Sequence, residues 1–88
     1  MKVVISAKAE KQFFRLPRIA QIAITKKIRV FEESNEILDS KKLKGYKDLY
    51  RVRVGHFRIV FTKFKGGIHI VAVGHRREVY EQVGRVFR

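Results

Sequence analysis

Apolar residues recur every three or four positions through the first part of the chain and every second position after Gly45, so a helical region precedes a region of strands. Residues 3–6 read as a short first strand. Ser6 is placed to cap a helix over residues 7–16, with Ala9, Phe13 and Leu16 on one face. Proline fits the first turn of a helix because its missing N–H would be unpaired there anyway. Pro17 therefore opens a second helix, and Ala20, Ile24, Ile28 and Phe31 follow at helical spacing. The pair forms an antiparallel helical hairpin that frays around residues 32–35. Residues 37–44 then read as a polar connection rich in lysine.

Strands are predicted near residues 49–54, 57–64 and 68–74. Gly55-His56 has the form of a two-residue hairpin loop and Lys65-Gly66-Gly67 joins the last two strands, which makes a three-strand meander. The run Ile70-Val71-Ala72-Val73 is apolar throughout, as in a strand covered on both faces, and the first strand is expected to pair beside it to complete a four-stranded sheet. Residues 76–88 fit either a further strand or a short helix. The fold class is α+β: an N-terminal strand and helical hairpin packed on a small, mainly antiparallel, twisted sheet.

Eighty-eight residues make one domain, 1–88, with room for one core and one site. A hydrophobic content of 45% argues for a folded chain despite a charged fraction of 33%. The balance of 21 Lys+Arg against 8 Asp+Glu gives a formal charge of +13, which points to an anionic partner, in a domain of this size nucleic acid before a membrane. No apolar run approaches the roughly 18 residues of a membrane span, and the stretch before Lys8 is too short for a secretory signal, so a cytoplasmic location is expected. The chain has no cysteine, and His56, His69 and His75 lack the spacing of a zinc motif; neither a metal nor a cofactor is expected.

The charge is concentrated. Between Lys41 and Lys65 stand nine basic residues and one acidic residue, Asp48, interleaved with Tyr46, Tyr50, Phe57, Phe61 and Phe64. Basic groups neutralise phosphates and aromatic rings stack on bases, although most of these rings suit the core. If Gly55-His56 closes the hairpin, Arg53 faces Arg58 and both share a sheet face with Arg51. Like charges opposite each other destabilise a strand pair, so three guanidiniums on one face imply an anionic ligand. Lys41, Lys42, Lys44 and Lys47 precede this hairpin as candidate substrate-binding groups. The second cluster, Gly74-His75-Arg76-Arg77-Glu78-Val79-Tyr80, follows the most apolar strand and carries groups suited to phosphate binding and proton transfer, while Tyr80 and Glu78 would equally serve packing and ion pairing.

Taken together, the strand and helical hairpin, Leu43-Lys44-Gly45, Leu49-Tyr50-Arg51-Val52-Arg53-Val54-Gly55, Phe57-Arg58-Ile59-Val60-Phe61 and Val73-Gly74-His75-Arg76-Arg77-Glu78-Val79-Tyr80 resemble the RelE/ParE superfamily of toxins, and the ending resembles the RelE branch more than the gyrase-inhibiting ParE branch. The resemblance implies the toxin of a toxin–antitoxin pair, a metal-independent endoribonuclease that enters the ribosomal A site and cuts mRNA by attack of a 2′-hydroxyl on the adjacent phosphate. It implies as partners a separate, acidic antitoxin, the ribosome and mRNA. It places the family's site residues on Arg51, Arg53, Arg58, Arg76 and Tyr80: Arg58 and Arg76 to clamp the scissile phosphate, Arg51 and Arg53 to hold phosphate and polarise the 2′-hydroxyl, Tyr80 to orient it.

Familiar RelE members carry lysines where this chain has Arg51 and Arg53, and a guanidinium cannot be deprotonated as a crowded lysine can. His75, whose side-chain type changes charge near neutral pH, and Tyr80 are then the candidate proton acceptors, unless positioning and electrostatics alone drive the reaction. Two other functions fit the same residues: a non-nucleolytic ParE-like toxin that grips DNA gyrase, and a non-enzymatic RNA-binding module.

Overall fold

The computed structural model describes residues 1–87, the last by its backbone alone. In chain order the elements are β1 (Lys2–Ile5), α1 (Ala7–Phe14), α2 (Arg18–Glu33), β2 (Ser40–Lys42), β3 (Tyr50–Val54), β4 (Phe57–Phe64), β5 (Gly67–His75) and α3 (Val79–Phe87). The strands form one five-stranded sheet in the order β1-β5-β4-β3-β2. β1 runs parallel to β5 and every other pairing is antiparallel. The α1–α2 hairpin carries the chain from β1 at one edge of the sheet to β2 at the other, and the antiparallel run β2 to β5 then returns to pair in parallel with β1.

Ser6 caps α1 as its position suggested, its Oγ accepting from the Ala9 N–H at 3.0 Å. Pro17 occupies the cap position of α2, where its carbonyl accepts from the Gln21 N–H at 3.1 Å. One face of the sheet carries Val52, Ile59, Phe61, Ile68, Ile70 and Val73, all buried, against Ala9 of α1 and Ile24 and Phe31 of α2. α3 covers part of the other face, where Val79 and Val83 bury themselves on Leu49, Val60 and Ala72. This spacing of four residues is one turn of helix, and its burial resolves residues 79–87 as a helix rather than a strand.

Two features differ from the expectation. Residues 37–44 are not all connection: Ser40–Lys42 form β2 and extend the sheet from four strands to five. A three-residue strand of Ser and Lys has no apolar alternation, and only its pairing with β3 defines it. The second feature is a β-bulge. Phe61 pairs with Ile70 but Val60 pairs with Ala72, so Val71 is an extra residue in β5. Ile70 and Val73 therefore both face α1 and α2, whereas Val71 and Ala72 both lie on the α3 side. That is how four successive apolar residues are all accommodated, with both faces of β5 covered as the run suggested.

Candidate functional site

The β3–β4 register is the one expected from a two-residue loop: Val54 pairs with Phe57, Arg53 with Arg58, Val52 with Ile59 and Arg51 with Val60. Gly55, at φ 60°, supplies the left-handed backbone that such a loop needs. β2 adds Lys41 opposite Arg51. Arg51, Arg53, Arg58 and Lys41 thus occupy one sheet face across three neighbouring strands, the face that α3 covers only in part. Lys42 pairs with Tyr50 and belongs to the reverse side, and Lys44 and Lys47 lie on the loop between β2 and β3.

The arginines differ in what holds them. Arg58 is only 8% exposed, and its guanidinium folds back on the hairpin, one terminal nitrogen donating to the Gly55 carbonyl at 2.9 Å and the Phe57 carbonyl at 2.8 Å. Its other N–H groups make no hydrogen bond among the described residues, so it both pins the turn and keeps donors for a ligand. Arg53 is exposed and Arg51 half-buried. Arg76 is tied to the same end of the sheet: its backbone N–H donates to the His56 carbonyl at 2.8 Å, which fastens the segment after β5 to the β3–β4 loop.

Opposite Arg58 stands Gly74. A Cβ there would come within 3.4 Å of the Val79 Cβ and 3.5 Å of Gln82 Oε1, so the glycine lets the start of α3 settle close beside Arg58. Gln82 Oε1 is itself buried without a hydrogen-bond partner. Tyr80 follows Val79 in the first turn of α3 and is 37% exposed.

His75 is placed differently. It pairs with Phe57, whose ring packs on the α1–α2 core, and so lies on the face opposite the arginines. Its ring meets Phe57 edge-on at 5.6 Å and lies 6.3 Å from that of His56, while its Nδ1 accepts from the Arg77 N–H at 3.2 Å. The bulge causes this. Counted straight back from the Phe64–Gly67 pair, residue 73 would oppose Arg58 and His75 would share its side; the extra Val71 moves Gly74 into that place. Most of the aromatics are occupied as well: Tyr50 stacks on Phe61 at 5.7 Å under the Lys63 ammonium at 4.1 Å, and Tyr46 and Phe57 pack on the two cores.

At the β2 end of the arginine face is a cavity of about 380 Å³ lined by Asp39, Ser40, Lys41, Arg51 and Arg53. Asp39 and His56 were not singled out from the sequence. Nothing in the local pattern marks Asp39, because its relation to the arginines depends on β2 being a strand.

A five-stranded α+β fold with this strand order and a basic face beside its last helix defines a class, and residues 3–80 match the family model described as the ParE toxin of the type II toxin–antitoxin system, parDE. The chain belongs to the RelE/ParE superfamily of toxins and is a toxin of the RelE type. It is 33% identical over 85 residues to Toxin RelE3 of Methanocaldococcus jannaschii, a match covering 92% of this chain and 97% of that one. Among solved structures it is similar to the RelB–RelE antitoxin–toxin complex from Methanococcus jannaschii, with a TM-score of 0.75, 29% identity, and 89% and 95% of the two chains covered. The archaeal RelE–RelB complex from Pyrococcus horikoshii OT3 follows at TM-score 0.67 and 26% identity, over 85% and 93%.

Proposed function

We propose that this toxin is an endoribonuclease that cleaves mRNA in the ribosomal A site without a metal ion, and so stops translation. The observation that carries the reading is the convergence of Lys41, Arg51, Arg53 and Arg58 on one sheet face, with Arg76 fastened to the loop of the same hairpin. A sheet that places Arg53 directly against Arg58 gives up cross-strand stability of roughly 0.2–1 kcal/mol. A bound phosphate offsets that cost through charge-assisted hydrogen bonds.

In the reaction, the 2′-hydroxyl of one nucleotide attacks the phosphate that follows it. Arg58 and Arg76 hold the non-bridging oxygens as charge accumulates on them, and the fixed turn keeps Arg58 in place before substrate arrives. Arg51 and Arg53 hold the backbone and lower the cost of developing negative charge on O2′. Tyr80, in the first turn of α3, orients the nucleotide. Lys41 on β2 and Lys44 and Lys47 on the loop that follows supply the salt-dependent attraction to RNA.

The M. jannaschii and P. horikoshii relatives are each seen with a RelB antitoxin. Carried over, this implies a separate antitoxin for the present chain, and the charge of +13 calls for an acidic one. Such a partner would neutralise the toxin by covering the arginines or by taking the place of α3 on Leu49, Val60 and Ala72.

The test is induced expression with mapping of mRNA 5′ ends, followed by Arg58→Ala and Arg76→Ala in a ribosome-programmed cleavage assay. Codon-phased cuts that both substitutions suppress by about 10²–10³-fold support the reading; full activity in both would sink the clamp. The ParE description of the matching family favours one competitor, a toxin that acts on gyrase. Supercoiling inhibition without mRNA cleavage would establish that competitor instead.

A further inference from the structure

Arginine does not release its proton, and His75 lies on the other side of the sheet from the arginines. A tyrosine phenol is ordinarily a hydrogen-bond donor at neutral pH, which suits Tyr80 to orientation more than to accepting a proton. The proposed reaction is then left without an obvious acceptor for the 2′-hydroxyl proton. The cavity on the arginine face contains one candidate. Asp39 is the carboxylate residue among its lining, beside Lys41, Arg51 and Arg53.

We propose that Asp39 is the general base of the cleavage reaction, a role that rests on the nuclease reading above. The register supports the placement: Lys41 opposes Arg51 and Ser40 opposes Val52, so Asp39 comes next in line toward Arg53, two residues from Lys41. Its backbone is also set apart. At φ 63° it is the one non-glycine residue in the left-handed region among the described residues. Aspartate tolerates that conformation better than most residues, so a turn requirement accounts for the backbone. A turn does not require a carboxylate residue in the lining of a cavity whose other charged residues are Lys41, Arg51 and Arg53.

The carboxylate forms no ion pair among the described residues, with these cations or with others, because the one such pair is Glu81 with Arg85 on α3. Asp39 is exposed and lines the cavity. The groups facing it are Lys41 from β2 and Arg51 and Arg53 from β3, with Arg58 of β4 one strand further on. These cations attract the RNA backbone toward a cavity in whose lining Asp39 is the carboxylate residue.

The step balances without a co-reactant. An Asp39 carboxylate oxygen takes the 2′-hydroxyl proton as O2′ forms its bond to phosphorus. The P–O5′ bond breaks, O5′ leaves with the bonding pair and takes a proton from water, and the products are a 2′,3′-cyclic phosphate and a 5′-hydroxyl. Asp39 returns its proton to the solvent hydroxide so formed.

The test compares the full-length wild type, Asp39→Asn and Asp39→Gly on ribosomes programmed with a defined mRNA, measuring single-turnover rate, half-saturating toxin concentration and the pH dependence of the rate. Asparagine and glycine both accept the left-handed backbone, so neither change disturbs the turn. The expected result is a fall in rate of about 10²–10⁴-fold in both variants. Half-saturation should change little, and the residual Asp39→Asn rate should rise with pH as hydroxide replaces the missing base. Wild-type rate in Asp39→Asn overturns the proposal. So does a reduced rate with the wild-type pH profile, which would make Asp39 a positioning residue. If the wild type itself cuts no mRNA, the nuclease reading fails first and this role falls with it.

Discussion

The two faces of the sheet are built from the same strands and have opposite fates. Under α1 and α2 the face is a continuous apolar layer running from Val52 through Ile59, Phe61 and Ile70 to Val73. On the reverse, α3 buries Leu49, Val60 and Ala72, with Leu43, Tyr46 and Val71 packed around them, and the remainder carries Arg51, Arg53 and Arg58. Alternation along β3 thus encodes a core and a site at once: Tyr50, Val52 and Val54 point one way, Arg51 and Arg53 the other. The apolar face supplies the stability, which leaves the second face free to keep a charge arrangement that a purely structural sheet would lack.

Substitutions on the two faces should differ in sign and size. Phe61 is fully buried on the apolar face, and Phe61→Ala should lower unfolding free energy by about 3–5 kcal/mol in urea titration. A loss under about 1 kcal/mol would mean that this face is not the main source of stability. Arg58→Ala should cost about 1–3 kcal/mol net in the same measurement, because the lost bonds to the Gly55 and Phe57 carbonyls outweigh the like charge removed from opposite Arg53. A neutral result there would make Arg58 purely functional.

Arg53→Ala should instead raise the unfolding midpoint, by the equivalent of about 0.2–1 kcal/mol, since it removes a like charge opposite Arg58. Destabilisation by Arg53→Ala would show that the paired arginines do not strain the free protein. Smallest of all, Glu81→Gln removes an exposed pair one turn apart on α3, 2.7 Å from Arg85, and should shift stability by no more than about 0.5 kcal/mol. A larger loss would mean that α3 holds its half-face by more than Val79 and Val83.

Much of this was legible in the chain. The Ser6 cap, the helical hairpin, the three-strand meander and the Arg53–Arg58 pair follow from periods of 3.6 and 2 and from a two-residue loop, all of them local rules. The resemblance named Arg76 and Tyr80 as site residues, and the bond from the Arg76 N–H to the His56 carbonyl fastens the segment carrying Arg76 to the β3–β4 loop. Less legible was the helix over residues 79–87. Val79 and Val83 alone did not decide between helix and strand until they had a surface to cover.

The sequence by itself determined which residues alternate, where the chain turns and that three arginines share a face, because each follows from neighbours a few positions apart. Tertiary structure alone decided that Ser40–Lys42 is a strand and that Asp39 stands at the arginine cavity, since pairing with β3 defines both. It also decided, through one extra residue at Val71, that Gly74 rather than a side chain opposes Arg58 and that His75 faces away. A bulge is set by packing on both sides of a strand, and a change of one residue there exchanges the faces of everything beyond it.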